Sequence, residues 1–309
     1  MRVAIAGAGA FAKYFVEELP KAGHDVVLLT RSHKAFFDGK PGLVEQRITD
    51  YASVDHLAQL LHDCDAVIST IYDLTQAFAD IHLALIAACK KTPKCKRFIP
   101  SEYGGNSEAF PESPESVYWY NTVVKDALRA QHELEWTVLS IGWLADYVVP
   151  AANRYHSDIG PLFAFDWNTK TMTIPGTGHE KFAATCARDV ATAVGLVLKS
   201  KATWRPFTYV QGEETTWLEI AETLRSTGGL GDALTVTHES IESLEAVIHA
   251  NESYEAKLTA EFKLYVPLGH IRFDQEKVQR DRDQLFSTMK PRTVKELVEA
   301  VTKDATVIV

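Results

Sequence analysis

The sequence predicts an α/β protein, a doubly wound parallel sheet with a smaller C-terminal α/β lobe, and three observations carry that expectation. Residues 1–31 (MRVAIAGAGAFAKYFVEELPKAGHDVVLLTR) read as a strand, a glycine turn, a helix and a second strand. Strand-like and helix-like segments then alternate as far as Ile141. The short strands are apolar throughout, the pattern of strands covered by helices on both faces of a sheet.

The first unit sets the register for the rest. Val3 to Ala6 leads into Gly7-Ala8-Gly9-Ala10-Phe11-Ala12, a GxGxxA pattern, before Lys13 to Leu19 continue as a helix. Gly7 permits a tight turn, Gly9 lets backbone approach a pyrophosphate, and Ala12 allows the helix to pack closely on the strand. The helix N-terminus, around Ala10 and Phe11, offers free N–H groups and a positive dipole end to phosphates. Glycines also serve ordinary turns. Here the turn lies between a strand and a helix and is followed by a second apolar strand, Val26 to Leu29, which makes it a dinucleotide site of Rossmann type.

The end of the second strand selects the cofactor. An acid there would hydrogen-bond a ribose 2′-hydroxyl, whereas this strand ends Thr30-Arg31-Ser32, with Lys34 close behind and no acid before Asp38. A guanidinium binds a 2′-phosphate in a bidentate fork and a carboxylate repels it, so NADP(H) is expected over NAD(H).

The alternation continues with a strand at Leu43 to Ile48, a helix at Val54 to His62, a strand at Ala66 to Ile71 and a helix at Thr75 to Lys91. Then come a strand at Arg97 to Pro100, a helix at Val117 to His132 and a strand at Trp136 to Ile141. Ligands of such sheets bind beyond the carboxyl ends of the strands. Besides the glycine turn and Arg31, those ends carry Asp50, Ser69 and Thr70, Pro100 and Ser101, Tyr103, and the segment from Gly142 onward. From Ala151 the pattern loosens into Pro161, Pro175, Gly176 and Gly178 with Phe163, Phe165 and Trp167 between, an irregular cover for the site. Cys186 to Leu198 returns to helical periodicity, and Phe207 to Val210 reads as a strand that rejoins the main sheet. Trp217 to Ser226, Ile241 to Ala250 and Val294 to Lys303 read as helices of a smaller lobe. The expected division is a cofactor-binding domain over residues 1–150, with 182–212 returning to it, and a substrate lobe built from 151–181 and 213–309.

Composition narrows the class. The 309 residues are 46% hydrophobic with a net charge of −9, which argues for a sizeable core and against a nucleic-acid surface. A strand beginning at residue 2 leaves no room for a signal peptide, and no apolar stretch reaches membrane-spanning length, so the expected compartment is the cytosol. The four cysteines show no CxxC pair and no metal-ligand spacing, and neither a disulfide framework nor a metal is expected.

At Lys96 to Asn106, KRFIPSEYGGN, the chain resembles the atypical short-chain dehydrogenases of the isoflavone reductase and phenylcoumaran benzylic ether reductase type and the related NmrA-like proteins. The glycine turn, Arg31 and DAVISTI (Asp65 to Ile71) match that family's turn, second-strand arginine and fourth strand in order. ELEWTVLSIGWLADYVVPA (Glu133 to Ala151) and TIPGTGHEKFAATCARDVATAV (Thr173 to Val194) look like its fungal NmrA-like branch. The resemblance implies an NADP(H)-binding domain, a smaller substrate lobe and a reaction in the cleft between them, with Asp50 near the adenine side.

The same resemblance implies a lysine shortly after PSE-x-G, and there the match fails. Aligning SVYWYNTVVKDAL with the family pattern places Asn121 at the lysine position, with Lys125 four residues later. No Tyr-x-x-x-Lys pair replaces it, because Thr122 follows Tyr118 and Val124 follows Tyr120 at that spacing. An amide cannot deliver a proton near neutral pH. Lys125 shares a helical face with Asn121 and is either a stand-in ammonium or an exposed surface lysine. Tyr118 is a further candidate. Tyr103 either polarises a substrate carbonyl or packs its loop. Gly142 offers backbone room for substrate or nicotinamide, Trp143 and Tyr147 offer flat aromatic walls, and Lys181 reaches toward cofactor phosphates or substrate.

The leading expectation is an NADPH-dependent reductase of a carbonyl, enone or related group in a bulky, partly aromatic secondary metabolite, working on a small molecule as a monomer or homodimer. The missing lysine keeps two other functions open. One is a catalytically silent NADP(H) sensor of NmrA type, which would need a protein partner. The other is a non-redox cyclase or isomerase on the same fold.

Overall fold

The computed structural model describes all residues 1–309. Its centre is a six-stranded parallel sheet. The first five strands in sequence are β1 (Arg2–Ala6), β2 (Asp25–Thr30), β3 (Leu43–Ile48), β4 (Ala66–Ser69) and β5 (Arg97–Ile99), arranged β3-β2-β1-β4-β5, with Glu135–Trp136 outside β5. The order reverses at β1, so the strand ends diverge there and open a crevice.

Period-two alternation assigns each strand residue to one of two cores. Val3, Ile5, Val26, Leu28 and Ile68 face the layer formed by α1 (Ala10–Glu18) and α5 (Ala187–Lys199). Ala4, Ala6, Val27, Leu29 and Val67 face α2 (Val54–Leu60), α3 (Gln76–Lys91) and α4 (Trp119–Arg129). The side chains of Thr75 and Ser53 cap α3 and α2. The edge strand β3 departs from the apolar pattern. Its Glu45, Gln46 and Arg47 are not buried, and Arg47 pairs with Glu45 and Asp63, charge that blunts an otherwise exposed edge.

The stretch expected as one strand from Trp136 to Ile141 is divided. Glu135–Trp136 closes the main sheet, whereas Val138–Ser140 lies between Tyr103–Gly104 and Phe207–Tyr209 in a separate three-stranded parallel sheet. The strand at Phe207 therefore joins this smaller sheet rather than the six-stranded one. Just beyond, Gly142 has a positive φ of 73°, and a Cβ there would stand 1.9 Å from the carbonyl oxygen of Ala183. Its glycine serves the approach of Phe182–Thr185, which pairs with Trp143–Leu144, and the residue also lines the cleft, where it was expected.

The remaining lobe packs Trp143, Phe163, Phe182 and Trp217 with Ile174, Leu224 and Leu297 into a third core. Helices Trp217–Ser226, Ile241–Ala250 and Val294–Lys303 occur as expected, the first and last with a Thr/Glu capping box. Two more, Tyr254–Leu264 and Gln275–Leu285, were not foreseen, because QEKVQRDRDQL has too few apolar residues to show a stripe. No helix is long and apolar enough to cross a membrane.

Two outcomes follow from this packing. Gly142→Ala loses more than about 2 kcal/mol in denaturant unfolding, because it combines left-handed backbone with a clash against backbone. His82 is fully buried on α3, and burial pushes its imidazole down to about 4. The unfolded chain therefore gains the proton first as pH falls. The stabilisation is complete above about pH 6.5 and is lost toward pH 4, a swing on the order of 3 kcal/mol. His82→Gln flattens this part of the pH–stability curve relative to the wild-type chain, and equal slopes would show that His82 takes up its proton at the same pH folded and unfolded.

Candidate active site

The carboxyl ends of β1, β2, β4 and β5 open into a cleft of roughly 1580 Å³ that continues under the C-terminal lobe. At its cofactor end Gly7 has φ +100°, and a Cβ there would press on Ile71 and Thr70. Gly9 is different. A Cβ at Gly9 would meet nothing within 4 Å, and Gly9, as the N-cap of α1, has no side chain to bind the first amides of the helix. Open space before uncapped N–H groups fits a pyrophosphate. Ala10 and Phe11 line the same wall, and Ala12 lies buried beneath them against the strand.

One contributor to this turn lay outside the sequence reading. The Tyr51 hydroxyl accepts from the Gly7 amide at 2.9 Å and donates to the Leu29 carbonyl at 2.6 Å, tying the glycine turn to the end of β2. Burial holds that phenol up at about 12, so it keeps its proton. The residue before it, Asp50, is exposed, does not line the cleft and accepts from the Ala52 amide of its own turn. Its expected place at the adenine side is not visible in the cleft lining. Arg31 and Lys34 do line the cleft and are exposed, at the end of β2 where a 2′-phosphate would sit.

Thr70 lines the cleft, and its hydroxyl is within reach of the carbonyls of Ala6 and Gly7. Ser69 and Pro100 are buried behind the lining. The Ser101 amide donates to Nε2 of His82 at 3.3 Å, while Nδ1 of that ring donates to the Phe78 carbonyl, so α3 fixes the loop after β5. Ser101 itself faces the cleft.

The expected catalytic residues separate. Tyr103 lines the cleft, with its ring edge-on to Phe11 at 4.8 Å, yet its hydroxyl donates to the Ser69 carbonyl and burial drives the phenol well above its ordinary range. Tyr118 and Asn121 line the cleft from the first turn of α4. Lys125 is neither exposed nor in the lining. It is completely buried behind the wall, with Nζ 2.7 Å from Glu102 and 2.7 Å from Glu112, both of which do line the cleft. Trp143 and Tyr147 line the cleft as expected. Lys181 does not; it is exposed and paired with Glu214. It directly precedes the strand Phe182–Thr185.

Several lining residues gave no sequence signal. Phe262 and Tyr265 come from the unforeseen helix Tyr254–Leu264 and the turn after it. His156 stacks on Tyr14 at 5.5 Å beside Phe11, its Nε2 is buried without a partner, and burial pushes it down to about 4, so the ring is neutral. Glu102, the acid of PSEYG, was not among the expected site residues, and neither its place in the lining nor its pairing with Lys125 was foreseen.

With this geometry in view, the comparisons place the chain. The model of an NAD(P)H-binding domain matches residues 6–158. Oxidoreductase swnR of Arthroderma benhamiae is 37% identical over 297 residues, 96% of each chain. An isoflavone reductase homolog, A622-like, of Nicotiana tabacum is 27% identical over 61% of this chain and 60% of its own. The solved structure of AtPrR2 with NADP+ and (+)pinoresinol superposes with a TM-score of 0.77 at 20% identity, covering 97% of this chain and 98% of that one. Fold, glycine turn and full-length similarity agree: the chain belongs to the NmrA-like and isoflavone reductase-like family of NAD(P)H-binding oxidoreductases.

Proposed function

We propose that this protein is an NADPH-dependent reductase of a carbonyl, enone or related activated group in a bulky, partly aromatic secondary metabolite. It is an NADP(H)-binding oxidoreductase; the finer reading rests on one observation. The cleft that begins at the glycine turn continues into a second chamber walled by Tyr118, Trp143, Tyr147, Phe262 and Tyr265. Its volume exceeds that of an ordinary single-ligand pocket, and flat apolar walls suit a ring-bearing small molecule.

NADPH supplies a hydride when bound. The chain's own residues account for the rest. The first amides of α1 and the open face of Gly9 take the pyrophosphate, and Arg31 with Lys34 takes the 2′-phosphate. Aromatic side chains line the part of the cleft beyond the glycine turn. Asn121 can hydrogen-bond a substrate oxygen or a ribose but holds no proton to give. A silent sensor is the reading that Asn121 favours, whereas the second chamber favours turnover, since a sensor of the cofactor alone has no use for it. We assign residues 1–150 with 182–212 to cofactor binding and the remainder to substrate. The four cysteines are free and buried, which suits a reducing compartment such as the cytosol.

Arg31→Ala weakens NADPH binding about tenfold or more while leaving NADH binding nearly unchanged, measured by fluorescence titration; equal losses would mean that Arg31 does not read the phosphate. Gly9→Ala keeps its thermal stability, since the added methyl meets open space, and loses affinity for both cofactors. The reductase reading itself is tested by NADPH consumption against a panel of quinones, enones, imines and aldehydes. Firm NADPH binding without consumption on any of them would favour the sensor.

A further inference from the structure

We propose that His156 is a cofactor-binding residue, its imidazole hydrogen-bonding the nicotinamide half of NADP(H) through a ribose hydroxyl or the carboxamide. This needs NADP(H) to bind but no particular substrate. The first observation is a ring without a polar partner. Nε2 of His156 is buried and unpaired, and of the whole residue only the carbonyl is hydrogen-bonded within the protein, by Arg154. Nδ1 is not sealed, and the ring forms part of the cleft wall. The two histidines enclosed more completely behave otherwise: His24 bonds the Gly195 carbonyl through Nε2, and His82 bonds through both nitrogens. Enclosed polar groups are nearly always paired, so an imidazole left open at a cleft wall is the place where a bound molecule completes the bonding.

The second observation is that the ring is held without being used. It stacks on Tyr14 at 5.5 Å and lies 5.5 Å from Phe11 and 6.1 Å from Tyr147 between ring centroids. The two residues before it are fastened. The Tyr155 amide donates to the Tyr14 hydroxyl at 2.9 Å and the Tyr155 hydroxyl to Glu17 at 2.7 Å. The buried Arg154 guanidinium donates to the carbonyls of Val149 and His156 and to Asp158. A group fixed in advance loses little freedom on binding, so the hydrogen bond it then forms counts toward affinity.

The third observation is where the ring lies along the cleft. Phe11 belongs to the first turn of α1, at the pyrophosphate end, and packs also on Tyr103, which follows β5. Tyr147 belongs to the second chamber. Arg31 and Lys34 stand instead at the end of β2, and β2 and β5 lie on opposite sides of β1. A dinucleotide with its 2′-phosphate at Arg31 and its pyrophosphate at α1 runs from β2 toward β5, and its nicotinamide half comes to the side where His156 stands. Burial, and the Arg154 charge after it, hold the imidazole down to about 4, so the ring is uncharged at neutral pH. One nitrogen of a neutral imidazole donates and the other accepts. A ribose hydroxyl and a carboxamide do both, so either tautomer is satisfied.

Calorimetric titration of two ligands into the full chain separates the halves of the cofactor. NADP+ has both, whereas adenosine 2′,5′-bisphosphate has the adenine and the 2′-phosphate but no nicotinamide half. His156→Phe keeps a flat ring on Tyr14 and removes both nitrogens. It is expected to weaken NADP+ about tenfold and to leave the bisphosphate within about twofold of the wild-type chain. His156→Asn, whose amide reaches the position of Nδ1, is expected to bind NADP+ at least about threefold more tightly than His156→Phe. The proposal is overturned if His156→Phe leaves NADP+ affinity unchanged, if it weakens both ligands alike, or if His156→Asn recovers nothing. Where His156→Phe does not fold, His156→Ala takes its place in both comparisons. Every outcome is read from binding, so NADPH bound without turnover would overturn the reductase reading and leave this one standing.

Discussion

The parallel pairing of β1 with β2 on one side and β4 on the other is the constraint on which everything at the cleft depends. Parallel strands end on the same edge of a sheet, so Gly7, Arg31, Thr70 and Tyr103, far apart in the chain, are delivered to one rim. Register then does the fine placement. Ala6 lies opposite Leu29 and Ser69, so the glycine turn emerges level with the ends of both neighbours. The Gly7 amide donates to the Leu29 carbonyl at 3.1 Å, and the Tyr51 hydroxyl, accepting from that amide and donating to that carbonyl, braces the same pair from the side. The C-terminal lobe is held to the same frame where Gly142 admits the backbone of Ala183, and that close approach sets the chamber beyond the cofactor end.

The wall of the cleft carries Asn121 where the family resemblance implies a lysine. A lysine at position 121 would present its ammonium to the cleft. The chain instead has an amide there and, one turn later, a lysine that faces inward and is consumed by Glu102 and Glu112. The ammonium of Lys125 thus lies behind the wall, while Glu102 and Glu112 line the cleft. The structural cost is contained because Lys125 keeps two charged partners at 2.7 Å and no ammonium is buried alone.

The sequence by itself determined the layer architecture, the cofactor end of the site and the absence of the expected lysine. These are local properties: a GxGxxA turn between a strand and a helix, an arginine at a strand end and apolar runs of strand length all carry their structural consequence within a few residues. Tertiary structure alone decided the rest. Helical spacing put Lys125 on the face of Asn121 but could not say whether that face met solvent or two glutamates, since Glu112 reaches it from a loop with no periodic signal. That Gly142 also admits the backbone of Ala183 was not legible, because Ala183 is remote in sequence. Tyr51 carried no pattern, and Phe262 and Tyr265 reached the chamber from a helix and turn whose place in the fold could not be foreseen. Charge balance and close approach are sums over neighbours in space, and a linear sequence names the neighbours only along the chain.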